Sequence, residues 1–247
     1  MSRSLRRIKY LIALLVLSMG AGALPQFEVA SVKPNPSAPF PGRMGAHVNI
    51  SPGRLVARGE SLKELVVDAY GIEDYQVTGG PDWIASARFD VEAKPSGAAT
   101  REQLLPMLQA LLADRFQLAF HRETRQLAVY TLVVSKGAPK FKPATNTPSL
   151  DLLGHGWGFP RLAQYLTHFG SDRPVIDKTG LTGIFDLDLN MEKIGMAASE
   201  VPGGASSNAN VYQATVNAME DMGLRLIPAK APIDVFVIDR AEKPAAN

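Results

Sequence analysis

The segment Asp177-Lys178-Thr179-Gly180 contains residue types that two classes of enzyme use for catalysis. In ion-pumping ATPases the aspartate of such a motif is phosphorylated, but those enzymes need further acidic motifs that hold magnesium, and this sequence has none. The Lys-Thr-Gly part occurs in serine β-lactamases, whose nucleophilic serine precedes a lysine by three residues. No serine here has a lysine at that spacing. We therefore interpret the segment as a strand end followed by a turn, in which Gly180 and Gly183 adopt unusual backbone angles.

Histidine, cysteine and carboxylate residues form no recognisable metal or acid–base motif. The sequence has no cysteine, which excludes disulfides, thiolate zinc sites, iron–sulfur clusters and cysteine nucleophiles. None of the histidines belongs to a spaced pair typical of metal sites; they are His47, His121, His155 and His168. Asp186 and Asp188 share one face of a predicted strand, which is more typical of a solvent-exposed face than of a glycosidase pair. We predict no cofactor, no catalytic residue and no metal site, and leave a site of scattered His, Asp and Glu as the alternative.

Two tryptophans are the candidate interaction residues. Trp83 and Trp157 lie beside glycine or proline, so each could be an exposed platform for a ligand. Packing at the rim of the hydrophobic core is the alternative interpretation. The pair Gly79-Gly80 lacks the capped helix that a phosphate-binding loop needs, so we predict a turn there.

The N-terminus has the order of a secretory signal peptide. Residues 1–9 include four basic residues, Leu11 to Leu17 are apolar, and Ala21-Gly22-Ala23 supplies small residues for cleavage. We predict a signal peptide over residues 1–23 and an exported protein, in the periplasm or outside the cell. The apolar stretch is shorter than the roughly 20 residues of a membrane-spanning helix. We expect no stable membrane span after cleavage, and the alternative to a cleaved signal is an uncleaved anchor or a buried helix.

The charge distribution argues against a nucleic-acid partner. The chain has 26 basic and 24 acidic residues, and four of the basic residues lie in the predicted signal peptide. Removing them changes the formal net charge from +2 to −2. Proteins that bind nucleic acid carry a clustered basic face. We expect an envelope protein, a peptide or a small molecule as the partner instead, and the sequence does not identify it.

Capping signals and periodicity predict an α+β fold. Ser61 and Glu64 form a capping box for a helix over residues 62–70, and Thr100 with Gln103 forms a second one. Pro106 lies inside the second helical pattern and is expected to start or kink the regular helix.

The order of predicted elements repeats. Each half of the chain has the order helix, strand, strand, helix, strand, strand, with helices packed on mostly antiparallel sheet. We predict a hairpin connection over 121–126, between strands 116–120 and 127–135, and two last strands over 224–227 and 233–240. The predicted domains are a first α+β unit with an N-terminal strand over 24–143, a linker over 144–158, and a second α+β unit over 159–247 with a mobile loop over 194–209.

Several motifs together resemble one protein family. The motifs are Phe27–Pro34, Leu62–Leu65, Ala69–Ile72, Gly79–Trp83, Leu111–Phe116, His121–Thr124, Asp177–Gly183 and Val237–Pro244. Across nearly all of the predicted mature chain they resemble the soil-associated family of exported bacterial proteins of unknown function. The resemblance implies a relation to domains that occur beside the metallopeptidase domain of β-lactam-sensing antirepressors. It implies no established activity, ligand or catalytic residue.

Three functional hypotheses remain at this point. The first is an exported, non-enzymatic binding or interaction module, which an open sheet edge or an exposed apolar patch would favour. The second is a sensor domain for a small molecule or cell-wall fragment that works with a membrane peptidase, which a preformed apolar pocket would favour. The third is an enzyme of unrecognised type, which a cleft with strongly perturbed titratable groups would favour.

Overall fold

The computed structural model describes residues 25–36, 48–51, 53–135, 140–144, 156–187 and 208–244, together with Leu189, Ile194 and Met196. The predicted signal peptide lies outside the described residues, and so does most of the predicted linker and of the predicted mobile loop. Ile194, at the start of that loop, is buried in the hydrophobic core. No helix in the described part of the chain is long and apolar enough to span a membrane.

Helices pack against antiparallel and mixed sheets, as in an α+β protein, which confirms the predicted fold class. The first half contains β1 (Val29–Pro34), β2 (Val48–Ser51), β3 (Arg54–Ser61), α1 (Leu62–Tyr70), β4 (Val77–Gly79), α2 (Trp83–Ser86), β5 (Arg88–Lys94), α3 (Arg101–Arg115) and β6 (Ala119–Val134). The second half contains β7 (Lys142–Pro143), α4 (Phe159–His168), β8 (Val175–Asp177), β9 (Phe185–Asp186), α5 (Asn208–Asp221) and β10 (Leu224–Arg240).

The helix starts follow the local sequence signals. The Ser61 side chain accepts a hydrogen bond from the backbone N–H of Glu64 at 3.2 Å, and the Glu64 carboxylate accepts one from the backbone N–H of Ser61 at 2.7 Å. Thr100 and Gln103 form the same capping box at the start of α3. Helix α3 begins at Arg101 and continues through Pro106, so Pro106 does not start it. Helix α5 begins at Asn208.

The strands form two four-stranded sheets. The first sheet has the order β1-β5-β3-β2, and all its neighbours are antiparallel. The second has the order β4-β10-β6-β8, in which β6 and β10 are antiparallel and the two short outer strands are parallel to their neighbours. The short strand β4 of the first half pairs with the long strand β10 of the second half. The short strand β8 of the second half pairs with the long strand β6 of the first half. A separate small pair joins β7 to β9.

The antiparallel ladder of β6 and β10 runs from Leu224 opposite Val134 to Arg240 opposite Ala119. The predicted hairpin over 121–126 is therefore wrong, because these residues continue β6 without a turn. The separate strands predicted over 224–227 and 233–240 are likewise one continuous strand. Most side chains from 121 to 126 are polar because they are exposed, so this part of the strand does not need alternating apolar residues.

Two hydrophobic cores lie at opposite ends of this ladder. The first packs α1, α2 and α3 against the first sheet, and it includes Ile238 of β10 with Phe120 of β6 against it. The second packs α4 and α5 around Leu132 of β6 and Leu224 of β10. Phe141, just before β7, also packs against the second core, although the predicted boundary assigned it to the first unit. Each long strand thus supplies one end to each core.

A polar contact joins the two halves beside the ladder. Glu73, after α1, accepts a hydrogen bond from the Gln164 side-chain amide at 2.7 Å, and its other carboxylate oxygen lies 2.8 Å from Nε2 of His168. Gln164 and His168 are both on α4. The hydrogen bond from His168 holds the pKa of Glu73 below its ordinary value, and partial burial opposes that effect.

The turn after β4 depends on glycine. Gly79 has φ +73°, and a Cβ atom added there would lie 3.0 Å from the carbonyl oxygen of Ile238. Gly180 has a similar φ of +71°, but a Cβ atom there would meet nothing within 4 Å. The two glycines share one backbone conformation and differ in the space around them.

We expect Gly79→Ala to lower the free energy of unfolding more than Gly180→Ala does. Both changes place alanine in the left-handed region of backbone conformation, which lowers the free energy of unfolding by about 1–2 kcal/mol. Only the first forces a methyl group against the β10 backbone, which adds about 1–3 kcal/mol. Urea denaturation followed by circular dichroism measures the difference. Equal losses in the two variants would contradict the close approach of β4 and β10.

Candidate functional site

Alternate backbone groups of β6 point away from β10. The N–H of Tyr130 donates to the carbonyl oxygen of Pro174 at 2.8 Å, and the carbonyl oxygen of Leu132 accepts from the N–H of Lys178 at 2.8 Å. Because the direction alternates residue by residue in an antiparallel pair, the even-numbered residues before them point to the same outer side. Those residues are Phe120, Arg122, Thr124, Gln126 and Ala128. Strand β8 pairs only with residues 130–132, and no other described strand pairs with this side of β6.

The equivalent edge of β10 is blocked. Pro232 lies opposite Gln126, and Pro228 lies opposite Tyr130, so both prolines occupy positions whose N–H would point outward. Proline is tolerated at such edge positions because it removes no ladder hydrogen bond, and it prevents another strand from pairing there. Farther along, Gln76 donates from its side-chain amide to the carbonyl oxygen of Asp234 at 2.8 Å. Strand β4 then covers residues 236–238.

The open stretch of β6 is accessible to solvent and free of proline. Six of its side chains are exposed, namely His121, Arg122, Thr124, Arg125, Gln126 and Ala128. Phe120, Glu123 and Leu127 are half-buried. We call residues 120–128 of β6 the open edge.

Arg122 lies on an aromatic cluster at one end of the open edge. Its Cζ atom is 4.6 Å from the centroid of the Phe236 ring. The Phe236 ring is 4.9 Å from Phe120 and 5.4 Å from Tyr70, measured between centroids. Burial raises the pKa of the Tyr70 hydroxyl, and the positive charge of Arg122 opposes that rise.

The opposite face of the same stretch carries a row of polar contacts. Nδ1 of His121 lies 2.9 Å from Oδ1 of Asp239, and Glu123 forms an ion pair with Arg125. Arg125 also donates to the Thr78 hydroxyl on β4 at 3.1 Å. By the strand register, the Arg125 side chain passes over β10 at Val235 on its way to Thr78. The Val235 side chain is fully buried. The charged groups on this face are therefore partnered with one another.

The hydrogen bond to Asp239 raises the pKa of His121 above its ordinary value. The charges of Asp239 and Glu123 act in the same direction, and desolvation opposes them. Asp239 lies where the β6–β10 register shifts by one residue, between Ile238 and Arg240. That bulge places its carboxylate beside His121.

The two tryptophans lie in different cores. Trp83 packs beside Phe89 and Phe116 in the first core, at centroid distances of 6.2 Å and 6.4 Å. Trp157 packs on Tyr165 in the second core at 5.4 Å. Both are half-buried, which matches the rim-of-core alternative. Their role as an interaction surface stays a prediction.

Asp177 forms a turn, as predicted. Its Oδ1 atom accepts hydrogen bonds from the backbone N–H and the hydroxyl of Thr179, both at 2.8 Å. Gly180 and Gly183 have φ values of +71° and +103°. The polar atoms of Asp177 are thus engaged in local backbone structure.

The remaining candidates are dispersed. His121 is on β6, His168 is on α4, and Asp186 accepts a hydrogen bond from the backbone N–H of Gly156 at 3.1 Å. His47, His155 and Asp188 lie outside the described residues. Within the described ranges, no group of three or more His, Cys, Asp or Glu side chains is placed to hold a metal ion.

A surface depression lies away from the open edge, beside the N-terminus of α3. Its volume is about 440 Å³. It lies between Pro25, the loop from Pro95 to Ala99 and the first turns of α3. Its walls are largely proline, alanine, glycine and backbone, with Glu102 as the ionisable side chain. Its other polar side chains are those of Ser96 and Gln103, and Gln103 forms the capping box of α3 with Thr100.

A family model described as "Protein of unknown function (DUF3738)" matches residues 63–241, which is more than half of the chain. No curated protein and no solved structure matches the chain. The matched region starts within α1 and ends just after β10, so it includes both long strands and the open edge.

We expect amide hydrogen exchange to alternate along the open edge. The N–H groups of Arg122, Thr124 and Gln126 point outward and should exchange about a hundredfold or more faster than those of Glu123 and Arg125, which bond to β10. Two-dimensional NMR in deuterated buffer gives the individual rates. Tyr130 is the internal control, since its outward N–H is bonded to Pro174 and should be protected. Uniform protection from 121 to 128 would contradict the open edge.

We expect the pKa of His121 to lie above the ordinary histidine value of about 6.5 and to fall in Asp239→Asn. Because the folded-state pKa is raised, the added stability is fully present below the unfolded-state pKa and is lost as pH rises through the folded-state pKa. The effect on stability is small since the pair is exposed. NMR titration of the imidazole measures the pKa. Glu123→Gln is the control, and its effect should be smaller because its carboxylate is 3.8 Å from Nε2.

Proposed function

We propose that this chain, which belongs to the DUF3738 family of proteins of unknown function, is a non-enzymatic binding module that holds an extended segment of a partner protein. The segment would add to the second sheet as a strand along the open edge. The observation that carries the proposal is the exposed, proline-free edge of β6, whose outward N–H and C=O groups pair with no described strand. Strand addition uses these main-chain groups for affinity and the neighbouring side chains for specificity.

The contrast between the two long strands supports this proposal. Natural sheets protect exposed edges with proline, charge, short strands or bulges. Strand β10 has two prolines at outward positions, whereas β6 has none. The ionisable groups on the far face of β6 contact one another, His121 with Asp239 and Glu123 with Arg125, so they are already engaged when a strand arrives.

The other described sheet edges are less suitable for the addition of a strand. Strand β1 has six residues and ends in Pro34, and β2 has four residues. The open edge has five outward positions, from Phe120 to Ala128. This stretch is long enough for a strand of typical length, which has about five or six residues. The polar side chains around the open edge lie on an exposed surface and contact each other. This arrangement differs from that of a general acid or base, which needs a substrate position within hydrogen-bond reach.

We also infer that the protein is exported and that its halves derive from one ancestral unit. The order of basic, apolar and small residues over 1–23 supports export. The pairing of β4 with β10 and of β8 with β6, each parallel and each over three residues, supports duplication. The resemblance of the sequence motifs to a family of exported bacterial proteins is in keeping with this location.

The experiment is a selection of peptides from a random 12-residue phage-displayed library on the purified protein, followed by affinity measurements with synthetic copies. We expect the selected peptides to bind in extended form and to protect the N–H groups of Arg122, Thr124 and Gln126 from exchange. Failure to select any peptide, or protection confined to other parts of the molecule, would overturn the proposal.

We expect Gln126→Pro to weaken peptide binding about tenfold or more, since it removes one outward donor and places a ring on the edge. Gln126→Ala removes the same side chain but keeps the N–H, and it should bind as the unmodified protein does. Lys230→Pro makes the equivalent change on the edge of β10 and should also leave binding unchanged. Isothermal titration calorimetry with one selected peptide measures all three variants. Equal weakening by Gln126→Pro and Gln126→Ala would contradict main-chain recognition.

A further inference from the structure

We propose that Arg122 selects an acidic side chain in the strand that binds to the open edge. This inference rests on the proposed function and adds the chemistry of the partner to it. The ligand would be an extended peptide segment with aspartate or glutamate at the position beside Arg122.

Arg122 differs from the other charged residues around the open edge. His121 is held by Asp239, Glu123 by Arg125, and Asp234 accepts a hydrogen bond from the Thr124 hydroxyl at 2.6 Å. Among the described residues, no carboxylate lies within ion-pair distance of Arg122. Its charge faces solvent without a counter-ion from that part of the chain.

The aromatic cluster holds Arg122 in place before any ligand arrives. A guanidinium group that stacks on an aromatic ring keeps its N–H groups available at its rim, where a carboxylate can accept two hydrogen bonds. The Phe236 ring under it is only 4% exposed and is itself packed against Phe120 and Tyr70. Because the side chain is already positioned, less conformational entropy is lost on binding.

The strand geometry brings an incoming side chain to this group. Arg122 is an outward position of β6, so an added strand would place one residue directly beside it on the same face of the sheet. Side chains in such lateral pairs have Cβ atoms about 4.5–5.5 Å apart, and pairs of opposite charge are favourable. On the other face His121 contacts Asp239 and Glu123 pairs with Arg125, so Arg122 is the position where we expect the selection for an acidic side chain.

The test repeats the peptide selection on three variants. On the unmodified protein we expect aspartate or glutamate to be enriched at one strand position. Arg122→Gln should still select strands but without that enrichment, and Arg122→Glu should select lysine or arginine there. Arg125→Gln is the matched control, because its charge is already paired with Glu123, and it should keep the acidic preference.

Affinities then quantify the effect. For a selected peptide, replacement of its acidic residue by glutamine should weaken binding to the unmodified protein about tenfold and should not change binding to Arg122→Gln. Binding of the acidic peptide should weaken as salt rises, and binding of the glutamine peptide should not. Circular dichroism checks that each variant is folded. If Arg122→Gln does not fold, Arg122→Lys takes its place, since it keeps the charge and loses the planar fork, and it should reduce the acidic preference.

The outcomes separate this inference from the proposed function. Strands that bind the open edge without an acidic preference would overturn the role of Arg122 and leave strand addition intact. An acidic preference that persists in Arg122→Glu would overturn it as well. If no peptide binds to the open edge at all, the proposed function itself is overturned, and the inference falls with it.

Discussion

The antiparallel pairing of β6 with β10 is the interaction on which the rest of the structure depends. Neither core is assembled from one half of the chain, because Ile238 belongs to the first core and Leu132 belongs to the second. The two short strands β4 and β8 attach to opposite ends of the same ladder. The helices then cover the apolar ends of the ladder, where burying side chains such as Leu224 removes apolar surface from water.

The length of the ladder also explains why an open edge exists. Each long strand extends well beyond the three residues that its short neighbour covers, so the middle of the ladder has an uncovered edge on both sides. Pro228 and Pro232 close one side at no loss of ladder hydrogen bonds. The other side has no proline, and no described strand pairs with it.

Local signals predicted the parts of the fold that are determined locally. The capping box of Ser61 and Glu64, the turn after Asp177 and the α+β class all follow from nearest neighbours in sequence or from periodicity. The polar run over 121–126 predicts a connection and not a strand, because the alternation rule describes strands with one buried face and this stretch is mostly exposed. Pro228 and Pro232 interrupted the pattern of β10 for a related reason, since only the register shows that they face outward. The open edge, and the position of Arg122 without a counter-ion among the described residues, result from pairing between distant segments, so no spacing in the sequence indicates them.

The exchange of short strands between the halves has a consequence for how the chain acquires its structure. Val77 pairs with Phe236, and Val32 shares a core with Ile238, so the first core is completed by a strand from the second half of the chain. Contacts between such distant residues require large loops to close, which makes folding slow. A nascent chain that has reached only α4 lacks Ile238, which is buried in the first core. The first core is therefore completed only after Leu224–Arg240 has left the ribosome, and until then its uncovered apolar surface favours aggregation.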